Sequence, residues 1–292
     1  ILQEMRQVTL ETVTDPRQII YDYVFLCFLL GNDFIPHHHS LRIKTDGMEA
    51  VIDKYGLAVR EHQQSLINID KLNQLQIRTP VLLTILTLLS EEEDHTLKRL
   101  HKKQMKPESA LRRMKDDSIL SRELIQREYY PCFHREEESE IKFGTTGWES
   151  RYYLNSYGIE RPEEIEEMVL NYLEGLTWTL SYYFHRCSDW SWYYAYRHAP
   201  SLKDIVKYCP SDINQLQPQK NQECNYHAAH QLLMVLPPQS SHILPESYRA
   251  LTQEIDSPLV VYYPSQFKLD TLHVNLLWEC IPLLPIMELV DM

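Results

Sequence analysis

Apolar side chains dominate one stretch near the start of the chain, from Ile19 to Leu30, in which Asp22 is the only charged residue. As a helix this stretch would extend about 18 Å, which is too short to cross a bilayer and typical of a core element. Asp15 is placed to cap the helix, Pro16 suits its first turn, and Gly31 supplies a backbone that can leave it. The pattern therefore predicts a buried, capped helix that ends near Gly31.

Helical periodicity returns at several later points. Apolar residues recur at helical spacing after a Thr-Asp-Gly start, which predicts a helix from about Gly47 to Tyr55. The segments 67–75 and 80–89 are amphipathic or buried. Four glutamates precede an apolar face of 3.6-residue period, which predicts a helix from Pro162 to Phe184, followed by a loop or short turn from Trp190 to Tyr196. The expected fold is mainly α with minor β.

Charged residues dominate between Asp94 and Arg135, which predicts a long exposed helix or a connector at a domain boundary. The net charge of −12 argues against nucleic-acid binding, because phosphate contacts need lysine and arginine. The stretch from Lys98 to Lys115 is basic, in contrast to the whole chain, and Glu108 is its single acidic residue. Two interpretations stay open for it, a solvated helix face or linker and a local strip facing RNA. Its basic residues are Lys98, Arg99, Lys102, Lys103, Lys106, Arg112, Arg113 and Lys115.

Composition is that of an ordinary globular protein, with 292 residues of which 43% are hydrophobic. We expect no membrane partner, because no apolar run reaches membrane length. The six cysteines form no CxxC pair, which indicates reduced thiols and a cytoplasmic location, with the nucleus as the alternative. Ile1 is not a methionine, so we expect that an upstream part of the natural protein precedes it.

Asp33 lies just beyond the predicted buried helix, at the negative end of the helix dipole, where a carboxylate would attract a cation. A second interpretation comes from its neighbours, because Asn and Asp after Gly commonly form turns by bonding their own backbone. The spacing alone leaves both interpretations open.

The stretch YDYVFLCFLLGNDFIPH, from Tyr21 to His37, resembles the segment that closes the catalytic domain of the XRN family of 5'-to-3' exoribonucleases, where a similar helix runs into GNDF[LM]PH. In that family the Asp of GND is one of the acidic residues that hold two divalent metal ions. The resemblance implies that Asp33 is a catalytic metal ligand for Mg2+ or Mn2+, with Asn32 and His37 beside it. His38 and His39 depart from the family's PHLPSL.

Two later signatures extend the resemblance. KFGTTGWESRYY, which starts at Lys142, is similar to the entry of the family's second conserved region, and the segment 169–205 is similar to YxEGLxWxxxYYYxGxxSWxWYYPYHYAP. Asp189 is an additional residue, and Ala195 and Arg197 replace the usual Pro and His. Most of these rings are expected to brace the fold. Asn225 to Pro245 and the last segments of the chain also resemble the family.

The resemblance implies that the chain is the C-terminal part of a PIN/flap-nuclease-like α/β catalytic domain followed by the helical second region. The expected divisions are 1–95 for the end of the first region, 96–140 for a charged connector and 141–292 for the second region. The implied reaction is processive hydrolysis of RNA that carries a 5'-monophosphate, with two divalent metals. Asp33 alone cannot hold two ions, because Mg2+ needs several further oxygens, so we expect the isolated chain to be inactive without the family's N-terminal nuclease part.

The sequence also offers candidates for RNA contacts and for a second metal site. A family tryptophan stacks on the RNA 5' end, and Trp278 is the candidate here, with Trp190 and Trp192 as alternates. Lys98, Arg99, Lys102 and Lys103 are candidates for the RNA backbone. The three adjacent histidines do not predict a metal site, because neighbours point to alternate sides of an extended loop. Cys224, His227 and His230 have zinc-like spacing but no evident fourth ligand, which favours ordinary core or surface histidines.

Three hypotheses about function stay open. A piece of an enzyme predicts that Asp33 is exposed at the edge of a cleft. A degenerate relative that serves as an RNA-binding or scaffold module predicts a closed surface at Asp33. An unrelated helical interaction protein is what composition alone allows.

Overall fold

The computed structural model describes residues 2–9, 12–13, 15–69, 75–216, 218 and 227–285, and the fold is mainly helical with little sheet. Its α-helices are α1 (Leu2–Val8), α2 (Pro16–Phe28), α3 (Gly47–His62), α4 (Thr79–Lys103), α5 (Pro107–Leu111), α6 (Ile119–Glu128), α7 (Tyr130–Phe133), α8 (Glu136–Ile141), α9 (Trp148–Tyr157), α10 (Pro162–Phe184), α11 (Leu202–Tyr208), α12 (Ala228–Val235) and α13 (Glu246–Gln253). Short 3-10 helices cover Ile213–Leu216, Pro238–Ile243, Val260–Tyr262 and Leu277–Glu279.

The strands form two antiparallel hairpin-like pairs. Strand β1 (Ile67–Ile69) pairs with β2 (Leu75–Ile77), with Ile67 opposite Ile77. Strand β3 (Lys268–Asp270) pairs with β4 (Ile281–Leu283), with Lys268 opposite Leu283. Each strand has only three residues, so the sheets contribute little to the architecture.

Packing divides the chain into two compact units, each made of two chain segments. The first unit comprises Ile1–Gln104 and Glu136–Gln222, and the second comprises Met105–Arg135 and Glu223–Met292. The divisions 1–95, 96–140 and 141–292 concern the family's regions and stay a prediction.

Helix α2 forms as the sequence predicts. The Asp15 side chain accepts a hydrogen bond from the backbone N–H of Arg17, and Pro16 occupies the first turn. Asp22, the only charged residue between Ile19 and Leu30, is fully buried and accepts hydrogen bonds from the Tyr55 hydroxyl and from the backbone N–H groups of residues 66 and 67. Burial raises the pKa of Asp22, while these donors oppose the shift. Its carboxylate thus joins α2 to α3 and to the start of β1.

Two predicted elements need correction. The helix predicted for Gly47 to Tyr55 continues to His62, because Ala58 and Val59 extend its buried face. The apolar segment 80–89 belongs to α4, a helix of 25 residues that continues through the acidic and basic residues as far as Lys103. Buried Leu97 and Leu100 hold this extension against the first unit, so the charged stretch is not one continuous connector.

The first unit has a large hydrophobic core to which α2, α3, α4, α10 and α11 contribute. Helix α10 has the predicted bounds, and the segment 190–196 that follows it has no regular element. The second unit has two small apolar clusters. One surrounds Tyr129 and Cys132, and the other surrounds Leu233, Leu244 and Leu259.

The five cysteines within the described residues form no disulfide bond with one another, and Cys224 lies outside those residues. Among the described helices, none combines the length and the apolar character needed to cross a bilayer.

Candidate functional site

The loop that carries Asp33 is held in one shape by the two residues before it. Gly31 has a φ of +89°, and a Cβ there would lie 2.8 Å from the backbone nitrogen of His37, so glycine alone fits without strain. The Asn32 side-chain oxygen accepts hydrogen bonds from the backbone N–H groups of Phe34 at 2.8 Å and Ile35 at 3.1 Å. This turn fixes the backbone on both sides of Asp33.

The Asp33 side chain is exposed, whereas Ile35 two residues later is 1% exposed. The turn interpretation is therefore correct for Asn32, and it leaves the Asp33 carboxylate directed away from the core. Within the described residues, no group of three or more His, Cys, Asp or Glu side chains could hold a metal ion. Among the described residues, the Asp33 carboxylate therefore belongs to no group of three or more potential metal ligands.

The three histidines of the loop have structural surroundings. The Nδ1 atom of His37 lies 2.8 Å from the carbonyl oxygen of His38, and its predicted role beside Asp33 stays a prediction. His38 is fully buried, its Nδ1 lies 3.4 Å from the carbonyl oxygen of Pro200, and burial lowers its pKa to about 3. The ring of His39 packs edge-on against Tyr152, and burial lowers its pKa well below the usual value. The departures from the family pattern therefore fill the core as neutral rings.

Helix α10 brings the aromatic motif against the Asp33 loop. A Cβ on Gly175 would lie 2.7 Å from Cγ2 of Ile35 and 2.9 Å from Cη2 of Trp192, so the missing side chain lets both approach the helix. The Tyr172 hydroxyl donates to the carbonyl oxygen of Pro36 at 3.4 Å. The segments around GND and EGLxW, more than 130 residues apart in sequence, are therefore packed together.

Aromatic rings form a continuous group beside Asp33. Phe34 packs edge-on against Trp178 and Tyr182 at centroid distances of 4.9 and 4.8 Å. Trp178 stacks on Tyr182 on one side and on Trp192 on the other, at 5.2 and 5.0 Å. The Trp192 indole N–H donates to Glu174 at 2.9 Å, which fixes the ring in its plane.

The rings of the motif divide into buried and exposed sets. The fully or nearly buried set agrees with the expected bracing role and comprises Trp148, Tyr152, Tyr153, Tyr172, Trp178 and Tyr194. The exposed set comprises Tyr182, Tyr183, Trp190 and Tyr193, with exposed fractions from 39% to 60%. A surface of this kind offers flat apolar faces to a ligand without further rearrangement.

The basic candidates of the first unit lie near the C-terminal end of α4. Lys98, Lys102 and Lys103 are exposed. Arg99 forms an ion pair with Asp46 at 2.9 Å, so part of its charge is already matched. Cations at this end of a helix are also favoured by the helix dipole, which is a structural reason for their presence.

The remaining candidates lie in the second unit. Trp278 is 68% exposed and lines a surface cavity together with Leu124 and Leu277. For the zinc-like spacing, Cys224 lies outside the described residues, and the Nε2 atom of His230 is 3.3 Å from the Tyr248 hydroxyl. His230 therefore already has a hydrogen-bond partner.

Some residues of this site were not predicted to have a role in it, although the sequence motifs include them. Phe34 and Trp178 connect the Asp33 loop to the ring group. The additional residue, Asp189, makes a turn in which its carboxylate accepts from Ser191, while its carbonyl oxygen accepts from the Trp178 indole at 2.9 Å. Glu174 could have been found, because it is part of the EGLxW motif. The role of Asp189 had no sequence signal, since it is an insertion relative to the pattern.

The structure is mainly helical, and its GND loop packs against an aromatic motif. This combination indicates the class to which the protein belongs. The family model described as the Xrn1 helical domain matches residues 13–130 and 121–291. The chain therefore belongs to the XRN family.

Curated relatives carry exoribonuclease names. The chain is 25% identical to 5'-3' exoribonuclease 2 of Arabidopsis thaliana over 93% of this chain and 34% of the relative. It is 32% identical to 5'-3' exoribonuclease 2 of Candida albicans over 62% of this chain and 18% of the relative. Human 5'-3' exoribonuclease 1 is 26% identical over 94% of this chain and 17% of the relative.

Length separates the chain from these relatives. It covers from 34% to 36% of the 5'-3' exoribonuclease 2 proteins of Arabidopsis thaliana, Gallus gallus and Drosophila melanogaster, which is about a third. The chain is a relative of 5'-3' exoribonucleases, and it corresponds to a part of their length.

Proposed function

We propose that this chain forms part of the catalytic module of a processive 5'-to-3' exoribonuclease that hydrolyses RNA with a 5'-monophosphate. In this proposal residues 1–95 are the C-terminal wall of a PIN/flap-nuclease-like domain, and Asp33 contributes one carboxylate to the active site. The main observation in support is that the Asp33 side chain is exposed, on a loop that Gly31, Asn32 and the ring group hold in place. Membership of the XRN family and the names of the relatives support the reaction class.

The described residues of this chain do not by themselves fit a two-metal site. Two ions in such a site lie about 3.5 to 4 Å apart and need several carboxylates between them. Asp33 is one carboxylate, and the described part of the chain holds no group of three potential ligands. We therefore propose that the isolated chain is inactive and that an N-terminal nuclease part supplies the other ligands for Mg2+ or Mn2+.

The RNA strand is proposed to pass over the exposed rings beside Asp33. Base stacking on an aromatic side chain contributes about 1 to 3 kcal/mol per base. Trp190 is 55% exposed and can accept a base. Trp192 is held between Trp178 and Glu174, which favours a supporting role. Trp278, in the second unit, stays a candidate for stacking, and Lys98, Lys102 and Lys103 for the RNA backbone.

The test is hydrolysis of 5'-monophosphorylated RNA by the intact protein that carries this chain, with Mg2+ present. Substitution Asp33→Asn is expected to lower kcat/KM by more than about a hundredfold, because even residues outside the ligand set of a metal site cost 10- to 100-fold when changed. Asp117→Asn is the matched control, since Asp117 is also an exposed aspartate. Equal activity of the two variants would show that Asp33 is not a metal ligand.

The alternative, a non-catalytic RNA-binding or scaffold module, predicts a closed surface at Asp33. The exposure of that side chain favours the catalytic proposal. The same assay separates the two, because an intact protein that binds 5'-monophosphorylated RNA but leaves it uncut would support the alternative.

A further inference from the structure

A surface cavity of about 500 Å³ lies in the first unit at the C-terminal end of α10, and the proposed function makes no use of it. Its described lining comes from the last turns of α10, from His185 and Arg186 directly after the helix, and from Leu75 and Asn214. These lining residues include no aspartate or glutamate, although the whole chain has a net charge of −12. The cavity is therefore a locally cationic place on an acidic protein.

Arg186 supplies the positive charge of the cavity. The residue is exposed, and its guanidinium forms no hydrogen bond or ion pair with another described residue. Its backbone is held in place, because its N–H donates to the Ser181 carbonyl oxygen at 2.9 Å and its own carbonyl oxygen accepts from the Ser181 hydroxyl at 3.0 Å. In the family pattern YYYxG, a glycine takes this position. The chain thus places an available cation where the pattern has no side chain.

His185 supplies a second donor. Its Nε2 atom accepts a hydrogen bond from the backbone N–H of Leu75 at 3.2 Å. A neutral imidazole has one donor and one acceptor nitrogen, so the proton of this ring lies on Nδ1. The Nδ1 atom has no partner among the described residues. The contact with Leu75 therefore leaves His185 with an available N–H.

The other polar groups of the lining already use their hydrogens. The Thr177 and Ser181 hydroxyls donate to backbone carbonyl oxygens at 2.8 and 3.0 Å, and the Asn214 amide donates twice within the chain. Among the described lining side chains, the donors left for a ligand are those of Arg186 and His185. This pair fits a group that is negatively charged and offers several acceptor oxygens.

We propose that this cavity binds a phosphodiester group of the RNA strand, at a subsite outside the Asp33 loop. The guanidinium fork of Arg186 matches two phosphate oxygens, and the Nδ1–H group of His185 donates to the same phosphate. The inference rests on the proposed function, because it takes RNA as the ligand. A strand that passes over the rings beside Asp33 then continues across the end of α10 to Arg186.

Neighbouring rings favour RNA over an acidic peptide as the source of the anion. A carboxylate would also pair with Arg186. Tyr182 and Tyr183, however, lie in the last turn of the same helix and are 39% and 50% exposed. Bases stack on such rings without regard to sequence. A nucleotide strand combines the anion with planar groups, whereas a run of acidic side chains offers the anion alone.

The test is binding of a short fluorescein-labelled RNA by the full chain, measured by fluorescence anisotropy without divalent metal and at several KCl concentrations. The RNA carries a 5'-hydroxyl, so that only phosphodiester groups contribute. Arg186→Gln is expected to weaken binding at least about fivefold, because it removes a charge-assisted contact. The slope of log Kd against log salt should fall by about 0.7, the value of one phosphate contact on a single strand.

Two further measurements separate this role from a structural one. Arg186→Gln should leave the thermal midpoint unchanged, since the guanidinium makes no hydrogen bond with another described residue. Arg186→Lys keeps the charge but lacks the fork, so its salt slope should equal that of the natural chain and its affinity should be intermediate.

Arg6→Gln is the matched control, since Arg6 is an exposed arginine of the same unit that does not line the cavity, and it should change the RNA affinity less than twofold. Equal losses of affinity in Arg6→Gln and Arg186→Gln would overturn the proposal, because RNA would then respond only to the total charge. Absence of measurable RNA binding by the natural chain would also overturn it.

A labelled oligoglutamate of the same net charge distinguishes the two kinds of partner. Oligoglutamate that binds as tightly as RNA, and through Arg186, would contradict an RNA subsite. Hydrolysis by the intact protein tests the proposed function separately. RNA that binds through Arg186 but is left uncut would overturn that function and support the subsite. Hydrolysis that depends on Asp33, together with unchanged RNA affinity of Arg186→Gln, would overturn the subsite alone.

Discussion

Trp148 of the first unit and Trp278 of the second unit have different surroundings. In the first unit, Trp148 is fully buried, and its indole N–H donates to Asp94 at 2.8 Å. In the second unit, Trp278 is 68% exposed beside α6, a helix of which no residue is buried. Trp148 thus serves both as part of the core and as a hydrogen-bond donor, whereas Trp278 lies at the surface.

This difference separates two meanings of an aromatic-rich motif. Where rings pack on each other and their polar atoms have partners, they hold neighbouring segments in a fixed arrangement. Where a ring is exposed, it contributes little to folding and is available to a ligand. The site around Asp33 contains both kinds side by side, since Trp178 is buried and Tyr183 is half exposed.

The largest expected effect comes from removing a buried ring of the first unit. Trp148→Ala is expected to lower the free energy of unfolding by about 3 to 5 kcal/mol, because it leaves a large cavity in the core. Trp278→Ala is expected to change it by no more than about 0.5 kcal/mol, since the side chain is exposed. Urea unfolding followed by circular dichroism measures both.

A milder variant keeps this comparison measurable if Trp148→Ala does not fold. Trp148→Phe retains an aromatic ring but loses the hydrogen bond to Asp94. The free energy of unfolding should therefore fall by less than in Trp148→Ala and by more than in Trp278→Ala. Similar losses of unfolding free energy for Trp148→Phe and Trp278→Ala would remove the distinction between these two tryptophans.

A smaller effect is expected at Glu93, a buried carboxyl in the first unit. One of its oxygens accepts from the backbone N–H of Leu202 at 3.1 Å, and the other has no partner among the described residues. Burial raises the pKa of Glu93 to about 8 from a usual value of 4.5. The folded protein therefore holds this proton at pH values where the unfolded chain has lost it.

Folding takes up a proton at Glu93 between these two values, so the free energy of unfolding falls as the pH rises from about 4.5 to about 8. Glu93→Gln removes this contribution. The stability of the variant relative to the natural protein should rise by about 3 kcal/mol between pH 5.5 and pH 8.5. Glu91→Gln, an exposed position on the same helix, should show no such change. Parallel pH profiles for all three proteins would contradict the prediction.

The smallest effect is expected at Gly175, where the helix, Ile35 and Trp192 meet. Gly175→Ala places a methyl group too close to both side chains, at an overpacking cost of about 1 to 3 kcal/mol. The higher helix propensity of alanine offsets about 1 kcal/mol of this cost. The net loss of stability should be about 1 kcal/mol, and it should shrink when Trp192→Leu is also present. A purely additive double-mutant cycle would show that Trp192 does not restrict the position.

Local signals predicted much of the fold. The capped start of α2 and the start of α10 follow from Asp15, Pro16 and Pro162, whose preferences act within one helical turn. The length of α4 did not follow from local signals, because Leu97 and Leu100 are only two apolar residues within a charged stretch. Their burial depends on tertiary partners that spacing does not reveal.

The candidate site was predictable in its residues and less so in its arrangement. Motif letters singled out Asn32, Asp33 and Trp192, but they did not show which side chains would be exposed. The burial of His38 and His39 depends on rings and backbone that lie more than 100 residues later. A contact across that distance leaves no periodic trace in either segment.

The contact between His38 and Pro200 has a consequence for synthesis of the protein. These residues are separated by 162 positions, so the loop of Asp33 leaves the ribosome long before its packing partner exists. At 5 to 20 residues per second, the delay is roughly 8 to 30 seconds. During that interval the nascent loop lacks the buried surroundings that later hold its histidines neutral. Ribosome pauses between these two codons would lengthen the exposure of the unfinished site to chaperones and proteases.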